Sequence, residues 1–197
     1  MPQPAKTSAK QIVAIALDIV EKEGAEALSM REVARRLQLA ANALYHHYPD
    51  RTGLEESVAT EGLRRLYVRL KRAMGGGTPR QDAQRLAEAY LRFARAHWSL
   101  YSMMMQRRPK SKERAELDRK IRALVDGTLE QIAGPDQVQR AACSMWALLH
   151  GIVVLEQNVL LPEDREHMVP DFAIGALLHG LERSRQNTSH QPLIRPR

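Results

Sequence analysis

Three short residues, Ala41, Asn42 and Ala43, stand just ahead of the ring-bearing run Tyr45-His46-His47-Tyr48, which Pro49, Asp50 and Arg51 close. These types suit contact with a polyanion better than bond-making chemistry. An asparagine carboxamide can pair bidentately with adenine, and small alanines let a backbone approach base edges and meet thymine methyls. Tyrosine, histidine and arginine donors suit phosphate oxygens instead, so Tyr45, His47 and Arg51 read as backbone anchors. Arg51 would also open a helix, whose first amides favour an anion. The alternative for Asn42 is a solvated residue at a helix start, and for Tyr45 it is core packing. Spacing decides part of this, since Leu44 and Tyr48 share an inward face at i, i+4 and so turn Tyr45 and His46 outward.

Other chemistries find little support. The seven histidines are scattered, and adjacent His46 and His47 point in different directions on a helix, unlike an i, i+4 metal pair, so no metal is expected. There is no nucleophile motif, no phosphate loop and no credible carboxylate pair; Gly75-Gly76-Gly77 end a helix rather than open a strand-to-helix turn. No catalytic residue and no cofactor are expected. Cys143 is the one cysteine, which excludes an internal disulfide, and on an apolar helix it reads as an inert core residue. The net charge of +7 favours an anionic partner. Yet positions 1–51 hold seven Lys and Arg against six Asp and Glu, so a groove binder has to be argued from placement. No signal peptide is recognisable, the apolar run Ala147–Leu155 is too short to cross a bilayer, and a cytoplasmic location is expected.

The elements that must position these residues are helical throughout. Ser8 with Gln11, and Ser29 with Glu32, are capping-box pairs, and apolar residues follow each at helical spacing: Ile12, Ile15, Ala16, Ile19 and Val20, then Met30, Val33, Ala34 and Leu37. Gly24 stops the first helix. A third short helix spans Ala41 to Tyr48, and Asp50 caps a fourth that runs to Met74. Beyond the glycines, helices are predicted over 81–97, 100–106, 112–132, 137–160 and 170–185, with a polar tail over 186–197. No stretch alternates with period two, so the chain is expected to be all-α.

The order of helix, capped short helix, three-residue turn, and short helix ending in Tyr45-His46-His47-Tyr48-Pro49-Asp50-Arg51 resembles the DNA-binding domain of the TetR family. The likeness covers about Ser8 to Leu54. It implies a three-helix, helix-turn-helix head over 1–52 whose recognition helix places Ala41, Asn42 and Ala43 in the major groove of double-stranded DNA, with Arg31 reaching a base or phosphate and Arg51 standing where the family most often has lysine. Gln38 occupies a turn position where the family usually has glycine, and Gly53 is unusual in the first turn of the next helix. The second half is similar to one branch of the family through Phe93-Ala94-Arg95-Ala96-His97 and Trp146-Ala147-Leu148-Leu149-His150-Gly151. That implies a ligand-sensing and dimerisation domain over 53–185.

The expected assembly is a homodimer that binds a palindromic operator, most often as a repressor. Its interface is assigned to the last two long helices, through Leu148, Ile152, Leu155, Val159, Ile174, Leu177, Leu178 and Leu181. Tyr90, Phe93, Met103, Met104, Leu124, Trp146 and His150 are the candidates to surround a cavity for a mainly apolar effector, the alternative being that they fill the core. The densest basic run, Arg107, Arg108, Lys110, Lys112 and Arg114, is expected to be a solvated face. Two rivals are kept in view. One is a DNA-binding regulator governed by a protein partner or by expression level alone; the other, a helical enzyme with a vestigial head, needs a catalytic constellation that the sequence lacks.

Overall fold

The computed structural model describes residues 8–106, 111–160 and 168–189, with backbone alone for Ala41, Met168 and 187–189. The described residues form helices and no strand: α1 (Ala9–Glu23), a 3₁₀ turn (Ala25–Ala27), α2 (Met30–Arg36), α3 (Ala41–Tyr45), α4 (Arg51–Ala73), α5 (Pro79–Ala96), α6 (Trp98–Gln106), α7 (Lys112–Ala133), α8 (Val138–Gln157) and α9 (Met168–Ser189). The polar tail beyond residue 189, and Arg107, Arg108 and Lys110 of the basic run, lie outside the described residues. The chain packs as two compact units. One comprises Met1–Leu66 with Ala96–Asp118, the other Tyr67–Arg95 with Arg119–Arg197.

The first unit takes in more than residues 1–52, because α6 packs on α1 and on the 3₁₀ turn. Ser8 caps α1 as a complete box: its Oγ accepts from the Gln11 N–H at 3.3 Å and its N–H donates to Gln11 Oε1 at 2.9 Å. Ile12, Ala16, Leu17, Ile19 and Val20 form the buried stripe of this helix. Ser29 caps α2 by accepting from the Glu32 N–H at 3.1 Å, but the expected reciprocal bond gives way to cation pairing. Glu32 takes Arg35 Nε and Nη2 at 2.8 and 2.7 Å and Arg36 Nε at 2.8 Å. The Arg35 bonds first, then those of Arg36, hold its carboxyl down from 4.5 to about 2. Arg36 also reaches Asp18 and Glu23 of α1, which staples the first two helices.

The turn between α2 and α3 carries the strain that glycine would remove. Gln38 adopts φ 55°, with its N–H on the Arg35 carbonyl at 3.2 Å and the Leu39 N–H on the Ala34 carbonyl at 2.9 Å, a Schellman closure with a side chain at the left-handed position. Farther along, α6 lies against α4 at Gly62. A Cβ there would stand 2.6 Å from Met104 Sδ and 3.1 Å from the Leu100 side chain, so any other residue would have to push these side chains aside.

In the second unit α8 packs on α9, and Arg95 of α5 grips Glu156 of α8 with two bonds of 2.8 and 2.6 Å. Arg80 donates to Glu182 of α9 at 2.8 Å. By length and mean hydropathy (1.4), the 20-residue α8 would suffice to cross a bilayer, which the apolar run 147–155 alone did not suggest. It instead buries Ala141, Met145, Leu149, Ile152 and Val153 within the protein.

Candidate functional site

The residues at the front of the head face outward together. Leu44 is fully buried and Tyr48 nearly so, which leaves Asn42, His46 and His47 exposed, Tyr45 half exposed and Ala43 partly covered. Arg31 on α2 is exposed as well. Among the described residues none of Arg31, Asn42, Tyr45, His46 and His47 has a side-chain partner within the chain. α3 ends at Tyr45 rather than Tyr48, followed by a turn in which the Tyr48 N–H still reaches the Leu44 carbonyl at 2.9 Å. Only the backbone of Ala41 is described.

Arg51 stands apart from this set. Its Nε donates to Glu55 at 2.7 Å and its Nη2 to the Ala25 carbonyl at 3.2 Å, so two of its donors fasten the start of α4 to the 3₁₀ turn while the side chain stays exposed. Asp50 caps the same helix through the Gly53 N–H at 2.7 Å. A Cβ on Gly53 would make only ordinary contacts, so nothing in this turn demands the glycine.

The second unit holds an apolar cavity of about 80 Å³. Its walls come from Leu70 of α4, Ala83, Leu86, Ala87 and Tyr90 of α5, Ile121, Val125, Thr128 and Leu129 of α7, and Ala142, Met145, Trp146 and Leu149 of α8. No charged side chain lines it, and the Thr128 hydroxyl is already committed to the Leu124 carbonyl at 3.0 Å. Of the seven residues expected here, Tyr90 and Trp146 are in place. Phe93 is fully buried elsewhere, beneath the guanidinium of Arg69 at 5.2 Å. Met103 and Met104 sit in the core of the first unit, because α6 packs on α1 there. Leu124 is one position out of register with the lining stripe of α7. His150 stacks on Trp146 at 5.6 Å rather than entering the wall. The alanines of α5 and the α7 stripe escaped the sequence reading, since an apolar residue beside a void has the same pattern as one beside another side chain.

Several further expectations are corrected by burial. Ile152, Ile174 and Leu178 fill the chain's own core, so they are not free to face another subunit, whereas Leu155, Val159 and Phe172 are exposed. Trp146 is 55% exposed even though it borders the cavity. Cys143 is exposed, not core: α8 buries Ala141, Met145 and Leu149, one stripe, and Cys143 lies off it. Arg114, expected on a solvated face, is 2% exposed and paired with Glu56. Among the described residues no group of histidine, cysteine and carboxylates could hold a metal ion.

Comparison with known proteins places these features. Residues 12–58 match the family model described as bacterial regulatory proteins, tetR family, and residues 83–181 match the tetracyclin repressor-like, C-terminal domain. The chain is 28% identical over 187 residues to the uncharacterized HTH-type transcriptional regulator Rv0681 of Mycobacterium tuberculosis, covering 92% of this chain and 84% of that one. It is 37% identical over 73 residues to the HTH-type transcriptional repressor KstR of Mycolicibacterium smegmatis, 36% of each chain. A solved structure of a protein with unknown function from Rhodococcus sp. RHA1 superposes with a TM-score of 0.80 at 26% identity, over 92% of this chain and all of that one.

Proposed function

Since the chain belongs to the TetR family of transcriptional regulators, we propose that it is a repressor that binds a palindromic operator as a homodimer and releases it when a mainly apolar small molecule enters the second unit. The observation that carries DNA reading is the outward set of Arg31, Asn42, Tyr45, His46 and His47, polar groups without partners in the described chain. Exposed polar groups are ordinarily satisfied by water; what singles these out is their place at the start of α2 and on and just after α3, the elements that a helix-turn-helix turns to the groove. Asn42 is assigned to a base edge, Tyr45 and His47 to phosphates, and Arg31 to either. Arg51 acts behind them by holding the start of α4. Working on chromosomal DNA places the protein in the cytoplasm.

Two observations support the rest. Trp146 and Leu155 of α8, Val159 in the turn after it and Phe172 of α9 leave apolar area that a second copy would cover, a two-fold pairing that matches a palindrome. The cavity has apolar walls and no charge, which suits a neutral, largely hydrocarbon guest. The repressor sign rests on the similarity to KstR.

Selecting bound sites from random DNA, with sedimentation of the same samples, tests this reading. The expected result is a palindromic site bound by a dimer. Asn42→Ala should lose about 1–3 kcal/mol at one base position per half-site, while Tyr45→Phe weakens all sites alike. Phe172→Asp should give monomers that no longer hold the site. No enriched sequence, or a dimer untouched by charge at Phe172, would reject the respective part.

A further inference from the structure

The turn between α2 and α3 carries a side chain that destabilises it. Gln38 sits at φ 55°, in the left-handed region, where a Cβ crowds the backbone and glycine would not. The bonds that close the turn, from the Gln38 N–H to the Arg35 carbonyl at 3.2 Å and from the Leu39 N–H to the Ala34 carbonyl at 2.9 Å, are made by the backbone alone. Glycine would make both equally well. The Gln38 carboxamide is exposed and has no hydrogen-bond partner among the described residues, so no bond of its own offsets the strain there.

Water satisfies such a group, so exposure alone points to no ligand. Its position does. Over residues 37–41, the whole connection from α2 to α3, Gln38 is the one polar side chain, and Ala40 offers α3 no side-chain cap. Leu37 and Leu39 on either side are both half-buried, which anchors the turn and leaves Gln38 outside it. A turn that leads straight into the helix entering the major groove lies at the edge of that groove, where the phosphate strands run. Strained backbone conformations persist where the structure around them fixes them, and they cluster at working sites. We propose that Gln38 is a phosphate contact, its carboxamide N–H donating to the DNA backbone beside the groove that α3 enters. This rests on the DNA-reading part of the function proposed above. Glutamine is among the neutral side chains that donate to phosphate oxygens and so set the register of a reading helix. It does so without adding a cation, and base edges remain with Asn42.

The test uses four variants of the full chain, each followed by thermal melting, by affinity for the site that the wild type selects, and by renewed selection from random DNA. Gln38→Gly removes both the carboxamide and the strain, whereas Gln38→Ala removes the carboxamide and keeps a left-handed side chain. Both should bind about fivefold or more weakly, by the same factor at every site, although the glycine variant melts higher than the wild type and the alanine variant does not. Weakening by Gln38→Gly alone would make stiffness of the turn the cause and overturn the contact. Gln38→Glu has nearly the shape of the wild type and should bind more weakly than either, because its charge would face a phosphate. Gln38→Lys should bind at least as tightly as the wild type, with the salt slope steeper by about 0.9 for each head. If the wild type selects a site and affinity ignores all four changes, Gln38 is no contact, and the roles of Asn42 and its neighbours stand. A preference altered at one base position would move Gln38 to a base edge and overturn the phosphate contact. A wild type that enriches no sequence overturns both readings.

Discussion

The interiors of the two units, both mainly apolar, differ in the polar groups they bury. Among the described residues the buried polar groups of the first are Glu55, Glu56, Thr60 and Arg114, and its pocket has polar and charged walls; the second has only Thr128, and its cavity is apolar. Ion pairs and hydrogen bonds fix angles, whereas apolar contacts at a cavity edge accept many arrangements at similar energy. The first unit is thus suited to hold its elements in one pose, and the cavity walls of the second to repack. Which interior fails first under substitution sharpens this contrast.

The largest effect is expected from Arg114→Ala, which leaves Glu56 buried without its guanidinium and should cost about 3–5 kcal/mol in denaturant unfolding. Thr128→Val, which removes the buried hydroxyl of the other unit, should cost about 1 kcal/mol, since its bond to the Leu124 carbonyl is local. Equal costs would erase the distinction. Next in size, Gln38→Gly should stabilise the first unit by about 1 kcal/mol by relieving a left-handed side chain, while Gln38→Ala should not. Thermal melts of the two variants decide it.

The smallest effect concerns acid. Glu32 is held at about 2 in the folded chain against 4.5 ordinarily, so the folded state binds its proton less readily than the unfolded one. Its contribution is fully present above 4.5 and is lost as the pH falls from there towards 2. Glu32→Gln should flatten that part of the stability profile and lower stability at neutral pH, by less than the shift alone implies because Arg35 is largely open to solvent. Should the variant titrate like the wild type, the acid transition belongs to other carboxylates.

The head was legible in the sequence because local rules govern it. Ser8 with Gln11, the spacing of Leu44 and Tyr48, and the position of Gln38 each report on a few neighbouring residues, and the structure has all three as those rules imply. Glu32 shows the limit: its capping role competes with Arg35 and Arg36 at i+3 and i+4, a spacing visible in the sequence but not weighed against the cap. The second half depends on which helix meets which, and composition does not carry that. Leu178 and Phe172 are both apolar residues of α9, yet one is fully buried and the other 79% exposed. Met104 was assigned to a cavity by its flexibility, but Gly62 gives it a place in the other unit. Arg114 looked like one charge in a basic run until its partner, 58 residues away, came into view.

The ion pairs that brace the head also ration its grip on DNA. Lys22 is taken by Asp18, Arg35 by Glu32, Arg36 by three carboxylates and Arg51 by Glu55, which leaves Lys10 and Arg31 as the cations of residues 8–52 without a described carboxylate partner. Each phosphate neutralised on duplex DNA releases roughly 0.9 of a condensed counterion, so these two cations of one head would expel only about two. Association would then vary gently with ionic strength, and discrimination between sequences would persist in salt where more heavily charged groove binders have already let go.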